Sequence, residues 1–187
     1  MTRLSGGFAD PAPEAAIAFR ALLDAMARPG RIHSVAGARP PAPLSVAAGV
    51  VLLTLTDATT PLHLAGAADC REVRDWIAFH TGAPLVAAEQ ARFAVGTWAD
   101  LHPLARFAVG DPEYPDRSAT LIVELGRLEP EGARLTGPGI RDHHRLSLPE
   151  TAAFRANRAL FPLGFDTIFT RGDRLAALPR STRVEDR

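Results

Sequence analysis

Arg180, Thr182 and Arg183 stand close together in the carboxyl-terminal run Pro179–Glu185. Two guanidinium forks beside a hydroxyl suit a phosphate or a carboxylate, because each fork offers paired N–H donors to paired oxygens. The same residues also suit a subunit interface or an ordinary surface tail. His80 is the best placed of the six histidines. It closes an apolar helical face, where it either meets last-turn carbonyls or serves a ligand or partner. Asp142-His143-His144 offers metal-ligand residue types. Adjacent side chains project differently, however, and no third ligand follows at a useful spacing, so a solvated loop is expected. His33, His63 and His102 stand alone.

Other motifs carry less. Gly137-Pro138-Gly139 lacks the third glycine and the acidic ribose partner of a dinucleotide fingerprint, and reads as a plain turn. Asp111 with Glu113, and Glu129 with Glu131, lie in turn-rich stretches and read as solvated charges. There is no G-x-S-x-G nucleophile elbow. No catalytic, cofactor-binding or metal residue is therefore assigned, and no cofactor is expected. His80, Arg180, Thr182 and Arg183 remain as candidates for anion binding or for an interface.

Composition narrows the chemistry. All 21 basic residues are arginines, so no internal aldimine to pyridoxal phosphate can form and no phosphate-loop GK[ST] exists. Cys70 is the single cysteine, which excludes an intrachain disulfide and an iron–sulfur cluster held by thiolates of this chain. Formal net charge is zero, against a dominant pull toward nucleic acid or anionic membrane. Asp10, Pro11, Pro13 and Glu14 interrupt any apolar leader. The longest apolar run, near Ala47–Leu55, is too short to span a bilayer. A cytoplasmic setting is the expectation. At 187 residues the chain reads as one domain with a sizeable core.

The elements that must position these residues follow from periodicity. Asp10 and Pro11 open a first helix, with Phe19, Leu22, Leu23 and Met26 as its apolar face and Pro29-Gly30 as its stop. Val50–Thr56, apolar without interruption, reads as a strand buried on both faces. Asp57–Thr60 then turns the chain, and Leu62–Leu64 returns as a short strand. A second helix runs from about Cys70 to His80, with Asp69 and Glu72 at capping-box spacing and Val73, Trp76, Ile77 and His80 as its buried face. Leu85-Val86 and Arg92–Val95 read as short strands, and Thr97–Ala105 as a short helix. Thr120–Leu128 reads as a strand paired through a Gly132 turn with Arg134-Leu135. Ser147 and Glu150 have the spacing of a helix start, reaching about Leu160. Phe161–Thr170 reads as a turn feeding a strand, Arg171–Arg174 as a turn and Leu175–Leu178 as a second short strand, together a closing hairpin. Helices interleave with strands and hairpins, which gives an α/β domain with a mixed sheet between helices.

Several blocks resemble one family in order. Phe161–Thr170 (FPLGFDTIFT) and Ala177–Glu185 (ALPRSTRVE) are similar to the carboxyl end of PhnH, the H subunit of bacterial carbon–phosphorus lyase. Phe19–Ile32, Val51–Pro61, Phe79–Val86, Phe93–Val95, Ser118–Ile122 and Leu135–Ile140 match it as well. Ala36–Ser45, Arg106–Asp116 and Arg141–Arg158 do not. The resemblance implies one domain over residues 1–187. It also implies a three-layer α/β/α fold like the large domain of pyridoxal-phosphate-dependent transferases, here without the cofactor lysine. It implies a non-catalytic subunit assembling with the G, I and J subunits, and a homodimer when alone. Such a subunit supports formation of a ribose 1-alkylphosphonate 5-triphosphate from ATP and phosphonate. The closing hairpin and tail are expected to face partners, unless the hairpin merely completes the domain's own sheet. The competing readings are an independent enzyme, or a binding module, for a phosphorylated small molecule.

Overall fold

In the computed structural model, which describes residues 5–186, the chain forms a six-stranded mixed sheet, a smaller three-stranded sheet and five α-helices. The large sheet runs β1 (His33–Ser34), β8 (Arg174–Leu178), β7 (Asp166–Arg171), β4 (Thr120–Glu124), β3 (Phe93–Thr97), β2 (Leu62–Leu64). β2, β3, β4 and β7 are parallel, and β8 and β1 continue the sheet in antiparallel fashion. The strand period of two divides its faces cleanly. The register row Val95, Ile122, Ile168, Ala177 belongs to one buried cluster, and the row Gly96, Val123, Phe169, Ala176 turns to the other.

The first cluster is covered by α1 (Pro11–Ala27), α2 (Val46–Leu55) and α3 (Arg71–His80). The opposite face carries the second sheet, ordered β6 (His144–Leu146), β5 (Ala133–Thr136), β9 (Arg183–Glu185), together with α4 (Trp98–Leu101) and α5 (Ala152–Ala159). The mixed sheet and the helices of an α/β domain are present. The second outer layer is itself partly a sheet rather than purely helical.

Several local expectations are corrected. Val50–Leu55 is helical, not a strand, and Thr56 caps that helix in an extended conformation. A segment buried on every side shows no period that separates helix from strand. The decision lies at its ends: the Ser45 hydroxyl accepts from the Ala48 amide at 3.1 Å, and the Thr54 and Thr56 hydroxyls donate to the carbonyls of Val50 and Leu52. Arg134-Leu135 pairs with β6 and β9 in the small sheet, not with the 120–128 strand, which ends at Glu124. Leu128 is nevertheless fully buried. α5 starts at Ala152 after Thr151, because the Ser147 hydroxyl is taken by the Glu129 amide at 2.8 Å. α3 is preceded by Cys70 without a side-chain cap, since the Asp69 carboxylate is engaged by Arg74. The expected Thr97–Ala105 helix is a single turn, Trp98–Leu101, followed after Pro103 by a 3₁₀ turn at Leu104–Arg106.

α1 ends as expected before Pro29-Gly30, but its buried stripe is Ala18, Leu22 and Ala25. Phe19 and Leu23 are 45% and 53% exposed. Small alanines let α1 lie close on α2 and β8, and this rotates the larger side chains outward. Of the expected buried face of the second helix, Val73, Trp76 and Ile77 are fully buried and His80 is half-buried.

Candidate functional site

The closing hairpin lies inside the large sheet, with β7 between β4 and β8. The tail that follows is bound to the fold at each step. Arg180 crosses back to β7, where its backbone amide, Nε and Nη2 all donate to the Asp166 carboxylate, Nη2 at 2.6 Å. Nη1 donates to the Pro115 carbonyl at 2.8 Å, and Nη2 also donates to the Ser118 hydroxyl. Every guanidinium nitrogen thus has an acceptor within the protein. Thr182 is buried, with no hydrogen-bond partner at its hydroxyl among the described residues. Arg183 opens β9 and is exposed. Arg180, Thr182 and Arg183 therefore do not converge on one anion: the Arg180 guanidinium is taken up by acceptors of the fold, Thr182 is buried, and Arg183 is exposed.

His80 ends α3 with its ring against Trp76 and Phe79, centroids 5.0 and 4.9 Å apart. Gly7 closes over it: a Cβ there would sit 2.5 Å from His80 Nδ1. The ring's Nε2 is buried without a hydrogen-bond partner among the described residues. His80 thus packs between an aromatic helix face and the amino-terminal segment, away from the carboxyl-terminal arginines.

In parallel α/β sheets ligands customarily enter the crevice at the carboxyl ends of the strands. Here the chain's own carboxylates fill it. Glu124, the last residue of β4, accepts from the Ser45 amide at 2.6 Å and so takes the amino-terminal end of α2, where a ligand anion would otherwise sit. Burial pushes the Glu124 carboxyl up, against the lowering effect of its Ser45 and Thr170 hydrogen bonds. Asp100, beyond β3, accepts from the Thr97 hydroxyl at 2.6 Å and packs on Gly66, whose Cβ would fall 2.1 Å from its carboxyl carbon.

The tertiary structure assembles what the sequence left scattered. His33, His143 and His144 line one cleft of about 660 Å³ with Arg31 and Arg145. The signal for this grouping was absent from the sequence, because the contributing residues come from β1, β6 and the segments leading into them, more than a hundred positions apart. A smaller pocket of about 210 Å³ holds His63, Asp69 and Arg74. Its charges are paired internally, since Arg74 makes two bonds to Asp69 and holds that carboxyl below the usual range. Among the described residues no group of three or more His, Cys, Asp or Glu side chains could hold a metal, and no helix is long and apolar enough to cross a membrane.

Comparison with known proteins gives a consistent assignment. Residues 6–185 match the family model described as bacterial phosphonate metabolism protein (PhnH). The alpha-D-ribose 1-methylphosphonate 5-triphosphate synthase subunit PhnH of Rhizobium meliloti is 44% identical, over 97% of this chain and 95% of its own length. A candidate C–P lyase subunit protein of Stutzerimonas stutzeri, HtxG, is 33% identical over 92% of this chain and 87% of its own.

Proposed function

This chain belongs to the PhnH family of bacterial phosphonate metabolism proteins, and we propose that it is a subunit of a ribose 1-alkylphosphonate 5-triphosphate synthase within a carbon–phosphorus lyase system. The observation that carries this reading is the 44% identity, over 97% of the chain, to a protein named as such a subunit. Its partners are the G, I and J subunits. It pairs with itself when they are absent, and works in the cytoplasm. The chain supports transfer of the phosphonate to the ribose of ATP by organising the assembly rather than by supplying the reacting groups. The reading extends to the fold: the core corresponds to the large domain of pyridoxal-phosphate-dependent transferases, retained as a scaffold in a chain that has no lysine.

Two features support a scaffolding role. The sheet-end crevice is closed by Glu124 and Asp100, as described above. Large apolar side chains remain outside: Ile17, Phe19 and Leu23 on α1, Phe79 on α3, Leu160 and Phe161 after α5. Such residues are enriched where subunits meet.

The test is reconstitution. The tagged chain is co-expressed with the G, I and J subunits of the same source, purified, and supplied with ATP and methylphosphonate. The expected result is co-purification and triphosphate-product formation that fails when this chain is left out. Turnover by the isolated chain would show it to be an independent enzyme. Partners that assemble and turn over without it would remove it from the complex.

A further inference from the structure

Arg31, His33, His143, His144 and Arg145 surround a cleft at the seam between the edge of the large sheet and the small sheet. The remaining lining is Gly30, Ile32 and Pro130, so no carboxylate lines it. Its volume, about 660 Å³, is that of a small-molecule site. The balance of charge around it is uneven. Arg28 and His33 share the Asp24 carboxylate, His33 at 3.2 Å, and Asp142 stands 3.6 Å from His143. Arg31 and Arg145 have no carboxylate partner among the described residues. Arg145 donates only to the Gly132 carbonyl at 3.1 Å, and its cross-strand neighbour is another arginine, Arg134, which takes Glu185 for itself. Like charges opposite one another on a strand pair are unfavourable unless an anion answers them.

The cleft is also held in shape. His144 Nδ1 donates to the Pro29 carbonyl at 2.6 Å, across 115 positions of chain, which fixes the ring and leaves Nε2 without a protein partner among the described residues. Gly30 makes the close approach possible: its φ is +86°, and a Cβ there would come within 3.0 Å of the His144 Cβ. Burial and the flanking Arg31 and Arg28 hold His33 below its ordinary value, toward the neutral form. The two guanidiniums carry fixed positive charge, with the imidazoles of His143 and His144 beside them.

We propose that this seam cleft is a binding site for a small, multiply charged phosphoanion, with Arg31 and Arg145 as the two charged clamps and His143 and His144 lining its wall. Two guanidiniums presented from separate elements suit a ligand with more than one anionic group, such as an oligophosphate, better than a single carboxylate. Part of the functional interest rests on membership of the phosphonate enzyme, but the site is a property of the isolated chain.

The experiment uses the full chain alone, so failure to assemble with partners does not bear on it. Inorganic triphosphate is titrated at pH 7 and constant ionic strength, followed by calorimetry and by the imidazole carbon–proton resonances of the six histidines. Saturable binding is expected, with the largest shifts at His143 and His144 and little at His80 or His102. Inorganic phosphate should bind more weakly than triphosphate. Arg31→Gln and Arg145→Gln should each weaken binding by about tenfold or more, from the loss of charge-assisted hydrogen bonds. Arg183→Gln, exposed on β9, should bind as the parent does. Both cleft arginines are exposed, and unchanged melting of the variants checks that they fold; His143→Asn provides a second route should one of them not. Absence of saturable binding, equal loss with Arg183→Gln, or resonance shifts spread evenly over all histidines would overturn the site.

Discussion

Replacing Arg180 with Ala tests the claim that the tail is part of the core. The substitution removes four side-chain hydrogen bonds, two to Asp166 and one each to Pro115 and Ser118, and leaves the carboxylate at the start of β7 facing a gap. The two side chains are only 13% and 19% exposed. An exposed pair contributes about 0–1 kcal/mol, whereas stranding one member of a fully buried pair costs about 3–5 kcal/mol. With most of both groups out of water but some solvent reaching them, roughly 2–3 kcal/mol is expected. For a chain of this size that is a drop of roughly 4–12 °C in Tm. The assay is thermal and urea unfolding of the parent, Arg180→Ala, Asp166→Ala and the double variant. The cycle should return a coupling of at least about 1 kcal/mol, because the pair acts as a unit. A single variant that melts within about 1 °C of the parent, or independent effects of the two substitutions, would refute the reasoning and return Arg180 to the list of free anion-binding residues.

The remaining expectations concern stability as well. Deleting residues 180–187 removes β9, with Val184 and Thr182 from the core, and should give a chain that does not fold cooperatively; a truncated chain with unchanged melting would show the tail to be peripheral. Trp76→Ala should cost about 3–5 kcal/mol in urea unfolding, as a fully buried indole leaves a large cavity, while Trp76→Phe should recover much of it because the indole N–H has no partner among the described residues to lose. Glu124→Gln tests the sheet end. A carboxyl whose value is raised by folding contributes stability that is complete below its unfolded value, near 4.5, and is lost as pH rises through the higher folded value. The Gln variant should therefore gain on the parent as pH is raised from about 4.5 toward neutrality, and a difference in Tm that stays constant with pH would rule this out. Arg145→Gln should leave Tm within about 2 °C of the parent, since it is exposed and donates only to a carbonyl; a larger fall would make it structural.

Where local pattern and tertiary environment agree, the sequence is sufficient. Val73, Trp76 and Ile77 show a helical stripe with polar residues between, and that stripe is buried as read. The closing hairpin is also legible, because Gly172 at φ +59° sits between two apolar runs. α2 is not legible, since burial on all sides erases the contrast on which periodicity depends. The face of α1 is misread by a rotation, because size was taken as a guide to burial, whereas close helix packing selects Ala18 and Ala25 over Phe19 and Leu23.

The sequence by itself determines which chemistries this chain is denied and which family it joins. No lysine means no aldimine, one cysteine means no thiolate cluster, and ordered blocks from Phe19 to Glu185 resemble PhnH. Those are properties of residue identity and order. The roles of Arg180 and of the cleft residues are properties of distance. Arg180 reads as a free cation until β7 brings Asp166 to it. Arg31 and Arg145 read as unrelated until the Pro29 carbonyl and His144 join the edge of one sheet to the other. Charge in a sequence is only a count. Whether it is neutralised or left to receive a ligand is decided by which carboxylate the fold places within a few ångströms, and only the tertiary structure makes that choice.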